Sequence, residues 1–162
     1  MTLIFSSETV KDLHDVVISF RGVKGIKSKG MLESCLERPF THISGHEVFP
    51  GIFRKAGALL HCIAGPFCPF TDGNKRTALL TVGLFLHVNG YSFEFPEDVV
   101  DFMLSIAKGK IKSIRRISRW IKQSCAKNQW YGIDEEKLVS MYKTVDFHTI
   151  DGWSFPMRLK KV

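Results

Sequence analysis

Apolar residues return every three or four positions through residues 8–20, where Val10, Leu13, Val17 and Phe20 share one face and Ser6 or Ser7 can cap the start. That spacing predicts an amphipathic helix. A shorter helix is predicted over 31–38, with Met31, Leu32, Cys35 and Leu36 on its apolar side and Pro39 as its stop. Between them, residues 21–30 hold three glycines and several lysines and read as a loop. Residues 40–50 place Gly45 and the β-branched Thr41 and Ile43 among polar positions, the pattern of an irregular loop or a short hairpin. A helix is expected again over 49–64, with Phe49, Ile52, Phe53, Ala56, Leu59, Leu60 and Ile63 facing inward.

Residues 77–88 break the amphipathic pattern. The run carries no charge and is apolar on too many sides for one face, so it predicts a helix buried nearly all round. Asn89-Gly90 supplies a turn, and Tyr91, Phe93 and Phe95 alternate with Ser92 and Glu94 as a short extended segment. Pro96 then opens a helix with Glu97 and Asp98 in its first turn, Val99, Phe102, Met103 and Ile106 on its core face, and Gly109 at its end. Residues 110–127 predict another helix, with Ile114, Ile117, Trp120 and Ile121 opposite Lys112, Arg115, Arg116, Arg119 and Lys122. In the remaining stretch, a helix is expected over 134–143. Trp130, Tyr131, Phe147, Trp153 and Phe155 are too many aromatics for a disordered tail. The pattern as a whole predicts an all-α bundle around the buried 77–88 helix, with an irregular loop or short hairpin before it. Residues 1–127 form the domain, and 128–162 form an extension packed on it or on a second chain.

Composition sharpens this picture in three ways. A chain of 162 residues with 44% hydrophobic content is long enough for one domain with a real core. Its longest apolar run, 78–88, is too short to span a bilayer, and no basic segment followed by an apolar one marks a secretion signal. The four cysteines form no C-x-x-C pair, and the spacing of His61, Cys62 and Cys68 matches no standard zinc pattern, so reduced thiols and a cytoplasmic setting are expected. The net charge of +7 points to an anionic partner: a nucleotide, a nucleic acid or an acidic protein. No recognition motif accompanies the basic 110–122 face, which reads as a solvated surface rather than a nucleic-acid contact. His14, close to an apolar face, reads as a structural histidine.

The chemistry concentrates in Cys68-Pro69-Phe70-Thr71-Asp72-Gly73-Asn74-Lys75-Arg76-Thr77, a turn that feeds the buried helix. The first N–H groups of a helix and the positive end of its dipole favour an anion. Gly73 lets the backbone come close, Asn74 can donate from its amide, and Lys75 and Arg76 add positive charge. Asp72 can hold a divalent cation, since Mg²⁺ commonly takes one or two carboxylates together with substrate phosphates. The string lacks the G-x-x-x-x-G-K-[ST] of a P-loop. On this chemistry it is a phosphate or nucleotide site.

The stretch resembles the Fic/Doc signature, roughly H-x-F-x-[DE]-G-N-x-R, here C-P-F-T-D-G-N-K-R. Lys75 followed by Thr77-Ala78-Leu79 resembles the Doc (death-on-curing) branch, as do the blocks at 25–39 and 84–91; the resemblance covers about residues 8–108. It implies a Fic/Doc-like helical fold and a toxin that moves a phosphoryl group from ATP, with Mg²⁺, to a hydroxyl of a target protein. AMP transfer and a non-catalytic nucleotide- or partner-binding module are the alternatives. Carried over by position, Asp72 would bind Mg²⁺, Gly73, Asn74, Lys75 and Arg76 would hold the nucleotide phosphates, and Phe70 would anchor the loop. Thr41, Ile43 and Gly45 would lie in a flap that pairs with an extended segment of the target. AMP-transferring members often carry a second Arg where this chain has Leu79. The family's general-base His is Cys68 here, which implies reduced transfer with nucleotide binding retained. A small antitoxin protein is the implied partner, and neither nucleic acid nor membrane is.

Overall fold

The uncharged run folds into α4 (Asn74–Val88), where Thr77, Ala78, Thr81, Val82, Leu84, Phe85, Leu86 and Val88 are all buried. The computed structural model describes residues 2–20, 22–128 and 159–161. In chain order these form β1 (Leu3–Phe5), α1 (Ser7–Phe20), α2 (Lys29–Glu37), a 3₁₀ turn (Arg38–Phe40), β2 (His42–Ile43), β3 (His46–Glu47) and α3 (Ile52–Ala64). After α4 come β4 (Tyr91–Phe93), α5 (Val99–Ala107), α6 (Ile114–Gln123), β5 (Cys125–Lys127) and β6 (Leu159–Lys161). The fold is mostly helical. α4 packs against α3 and α1, and α6 covers the far side of α3.

The pattern of apolar positions fixes which faces turn inward. Val10, Leu13 and Val17 of α1, Leu59, Leu60 and Ile63 of α3, and Met103, Ile106, Ile117 and Ile121 of α5 and α6 are at most 4% exposed. The 40–50 segment is a hairpin, with β2 and β3 antiparallel around Ser44 and Gly45, both at positive φ.

Several expected boundaries move. Met31 is 42% exposed, because α2 begins at Lys29 with Ser28 as its cap and the buried stripe is Leu32, Cys35 and Leu36. α5 starts at Val99, with Pro96 in the turn before it. The helix expected over 110–127 is only Ile114–Gln123. Ser113 caps Arg116 N–H, and residues 125–127 leave the helix to pair with β4. The extended segment at 91–93 thus finds its partner in a strand that local periodicity assigns to a helix; strand pairing outweighs helix propensity there. β6 pairs with β1 in antiparallel register, Leu3 opposite Lys161. The expected 134–143 helix and the aromatics at 130, 131, 147, 153 and 155 lie outside the described residues. No helix among the described residues is long and apolar enough to cross a membrane.

Candidate functional site

The loop at 68–73 is held from three sides before α4 begins. Asn74 closes it from within: its Oδ1 accepts from Phe70 N–H at 2.9 Å and its Nδ2 donates to Phe70 O, also at 2.9 Å. The Phe70 ring is fully buried and stacks on His14 of α1, with centroids 3.9 Å apart and planes at 10°. His14 Nδ1 in turn bonds Thr77 Oγ1 at 3.1 Å, tying α1 to the first turn of α4. The third support is backbone. Lys27 N–H donates to Pro69 O at 2.8 Å and Thr71 N–H to Gly25 O at 2.9 Å, an antiparallel bridge between the loop and residues 25–27.

Gly73 is the N-cap position of α4, with φ +72°. A Cβ there would stand 2.8 Å from Ile18 Cδ1, 3.4 Å from Val17 Cγ1 and 3.5 Å from His14 Cε1. The backbone comes close, as expected, but the surface it approaches is α1. A glycine cap also brings no side-chain acceptor, so the first turn of α4 has no side-chain cap. Its N-terminal N–H groups keep the polarity that attracts an anion.

The charged residues gather at this helix mouth. Asp72 is exposed; its Oδ1 accepts from Gly73 N–H and its Oδ2 from Val23 N–H at 3.4 Å. The Gly73 and Val23 N–H groups, and after them Arg76 and Lys75, hold its carboxyl below the usual carboxylate range. It is therefore an anion at neutral pH, with outward lone pairs for a cation. Lys75 and Arg76 are exposed, and Arg76 Nη1 reaches back to Val17 O at 3.2 Å, near the C-terminal end of α1. Buried His14 keeps its imidazole below the ordinary histidine value, chiefly by desolvation. Its Nε2 has no hydrogen-bond partner.

Cys68 enters the loop with φ +40°, rare for a residue with a side chain. It is half-buried, and its thiol donates to Gly65 O at 2.9 Å, just beyond the end of α3. A thiol whose proton is directed at a carbonyl is arranged as a donor, not as a proton acceptor. Nearby, buried Cys35 and Cys62 share a hydrogen bond that pushes Cys35 up. No group of three His, Cys, Asp or Glu side chains among the described residues could hold a metal ion.

The structure thus brings together Phe70, Asp72, Gly73, Asn74, Lys75 and Arg76. It changes what Asn74 does: two of its polar atoms staple the loop to itself, whereas the sequence reading gave its amide to a ligand. Thr41, Ile43 and Gly45 belong to the separate β2–β3 hairpin. Ile43 is 65% exposed, Gly45 has φ +80°, and Thr41 Oγ1 donates to Arg38 O at 2.9 Å. Sequence reasoning missed His14, Ile18, Val23 and the bridge at 25–27 as supports of the site. The glycines of 21–30 were the available signal, because Cβ atoms at Gly22 and Gly25 would meet Asp72 Oδ2 at 2.6 Å and Thr71 Oγ1 at 2.8 Å.

A family model described as the Fic/DOC family matches residues 4–86. The chain is similar to Toxin Doc of Mycolicibacterium smegmatis (strain ATCC 700084 / mc(2)155), 35% identical over 82 residues, which are 51% of this chain and 62% of that protein. It is also similar to Protein kinase doc of Escherichia phage P1, 33% identical over 108 residues, 65% of this chain and 83% of that protein. The match therefore spans less than two thirds of the length of Toxin Doc.

Proposed function

The chain belongs to the Fic/Doc family, and from that premise we propose that it is a Doc-like toxin that binds ATP with Mg²⁺ and moves a phosphoryl group to a hydroxyl of a target protein. The observation that carries the reading is the helix mouth: an uncapped first turn of α4 with Asp72, Lys75 and Arg76 gathered around it. Such a mouth suits a polyphosphate. The N–H groups of Asn74 and Lys75 and the side chains of Lys75 and Arg76 would receive phosphate oxygens. Asp72 fits Mg²⁺, a hard cation content with one exposed carboxylate plus phosphates. Bound there, the ion would offset charge on the phosphate oxygens. Catalysis of this kind rests on positioning and charge neutralisation, which the braced loop supplies.

Leu79 supports phosphoryl over AMP transfer. It packs against the core of α4's surroundings, and so this position adds apolar contact and not a second cation. The name of the phage relative, a protein kinase, points the same way. We also propose a cytoplasmic setting and a small antitoxin as the partner of such a toxin; the name Toxin Doc supports the toxin reading alone.

Cys68 sets the rate in this reading. Its thiol donates to Gly65 O, so it does not stand ready to take the target's proton. That geometry favours one second reading, a nucleotide-binding member of the family that has lost transfer. Label transfer from γ-labelled ATP to host lysate proteins, by the chain and by Cys68→His in parallel, separates the two. Transfer restored by His supports the kinase. Transfer by neither, with Mg-ATP still bound and weakened by Arg76→Ala, supports the binding reading. Absence of saturable Mg-ATP binding overturns both.

A further inference from the structure

Lys55 lies in the first turn of α3 with a side chain only 4% exposed. A buried ammonium is costly unless it is paired and hydrogen-bonded. Here each partner belongs to the 40–49 segment. Lys55 Nζ donates to Glu47 Oε1 of β3 at 2.7 Å and to Phe49 O at 3.1 Å, and it sits 5.7 Å from the centroid of the Phe40 ring. Phe40 precedes the hairpin and Phe49 follows it, so one nitrogen holds both ends.

Beyond Lys55, short-range bonds hold only the first strand's start: Thr41 N–H and Oγ1 donate to Arg38 O at 3.2 and 2.9 Å, and His42 Nδ1 meets Phe40 O at 2.8 Å. The hairpin's ladder is two residue pairs, His42 with Glu47 and Ile43 with His46, closed by Val48 N–H to Thr41 O at 3.0 Å. All six of residues 41–46 are exposed. Two-stranded ribbons of this size are marginal alone in water. A strand that is to register an extended peptide by main-chain hydrogen bonds must keep its own edge in place.

We propose that Lys55 is the positioning residue of the target-docking flap, a clamp inside α3 that holds Phe40, Glu47 and Phe49 and thereby sets the edge of β2–β3. The role of the flap rests on the function proposed above; the clamp itself does not. Glu47 is the grip that solvent can release. Lys55, by its hydrogen bond and then its charge, holds the Glu47 carboxyl below the usual glutamate range, with His42 acting in the same direction.

Amide exchange and pH titration by NMR test this on the full chain, comparing wild type, Lys55→Met, Glu47→Gln and the double variant. Methionine keeps the apolar stem and removes the charge. Each single variant is expected to speed exchange at Ile43, His46 and Val48 by roughly tenfold, the loss of a charge-assisted bond. The double variant should match Lys55→Met, because that change alone already removes the contact that Glu47→Gln weakens, together with those to Phe49 O and the Phe40 ring. Amides of α4 should be unchanged. In wild type the flap resonances should titrate with Glu47 below the usual glutamate range, and in Lys55→Met that midpoint should move up. Unchanged flap exchange, exchange raised equally through α4, or singles that multiply in the double variant would each overturn the clamp. Mg-ATP binding by wild type is measured alongside. Its absence refutes the proposed nucleotide site and leaves the clamp result standing.

Discussion

Replacing Asn74 by alanine tests the central claim that this side chain holds the loop closed. The substitution removes an acceptor from Phe70 N–H and a donor from Phe70 O, each at 2.9 Å. Helix propensity improves slightly, by well under ~1 kcal/mol. Against that, each lost bond costs about 1 kcal/mol net, and leaving the part-buried Phe70 N–H without an acceptor adds about 1–2 kcal/mol. The expected loss is about 2–4 kcal/mol. For a chain of this size that lowers Tm by roughly 5–15 °C. Urea unfolding followed by far-UV circular dichroism reads it directly, as a lower midpoint with an unchanged slope. Asn74→Asp is the informative companion. It keeps an acceptor for Phe70 N–H but sets a carboxylate oxygen against Phe70 O, so it should be no more stable than alanine. A loss below about 0.5 kcal/mol for Asn74→Ala, with a normal slope, would refute the staple. The buried stack of Phe70 on His14 would then suffice to hold the loop.

Other consequences follow from the same geometry. Gly73→Ala puts a Cβ against Ile18 Cδ1 at positive φ, and should cost about 2–3 kcal/mol from backbone strain and crowding; Ile18→Val in the same chain should recover part of that in urea unfolding, and no recovery would place the strain in the backbone alone. His14 and His61 both have folded values below the ordinary histidine range, first because of desolvation. The unfolded state therefore binds protons more readily, so stability is full above about pH 6.5 and falls as pH drops below it. Tm should decline from pH 7.5 to 5.5, and His14→Gln should flatten that decline; an identical slope in the variant would exclude His14 as a source.

Much of the site is readable from the chain. The uncharged 77–88 run predicts a buried helix, and a Pro-containing turn ahead of it, with Asp72, Gly73, Lys75 and Arg76, marks where that helix begins and which charges gather there. The hairpin too is foreshadowed by Thr41, Ile43 and Gly45. These are local signals: a period, a turn residue, a charge beside a helix end. Boundaries fared worse where a distant segment decides them. Nothing within 110–127 shows that its last residues pair with Tyr91–Phe93.

The helical class, the buried axis at α4 and the residues at its mouth are legible in local pattern, because hydrophobic burial and helix-end polarity depend on near neighbours along the chain. What those residues meet across the fold is set by how the elements pack. Helix packing brought α1 so near that residue 73 has no room for a Cβ, set His14 against Thr77, and buried Lys55 beneath the hairpin. Contacts between residues 8 to 63 positions apart depend on how whole helices pack, and no short window of sequence carries that information.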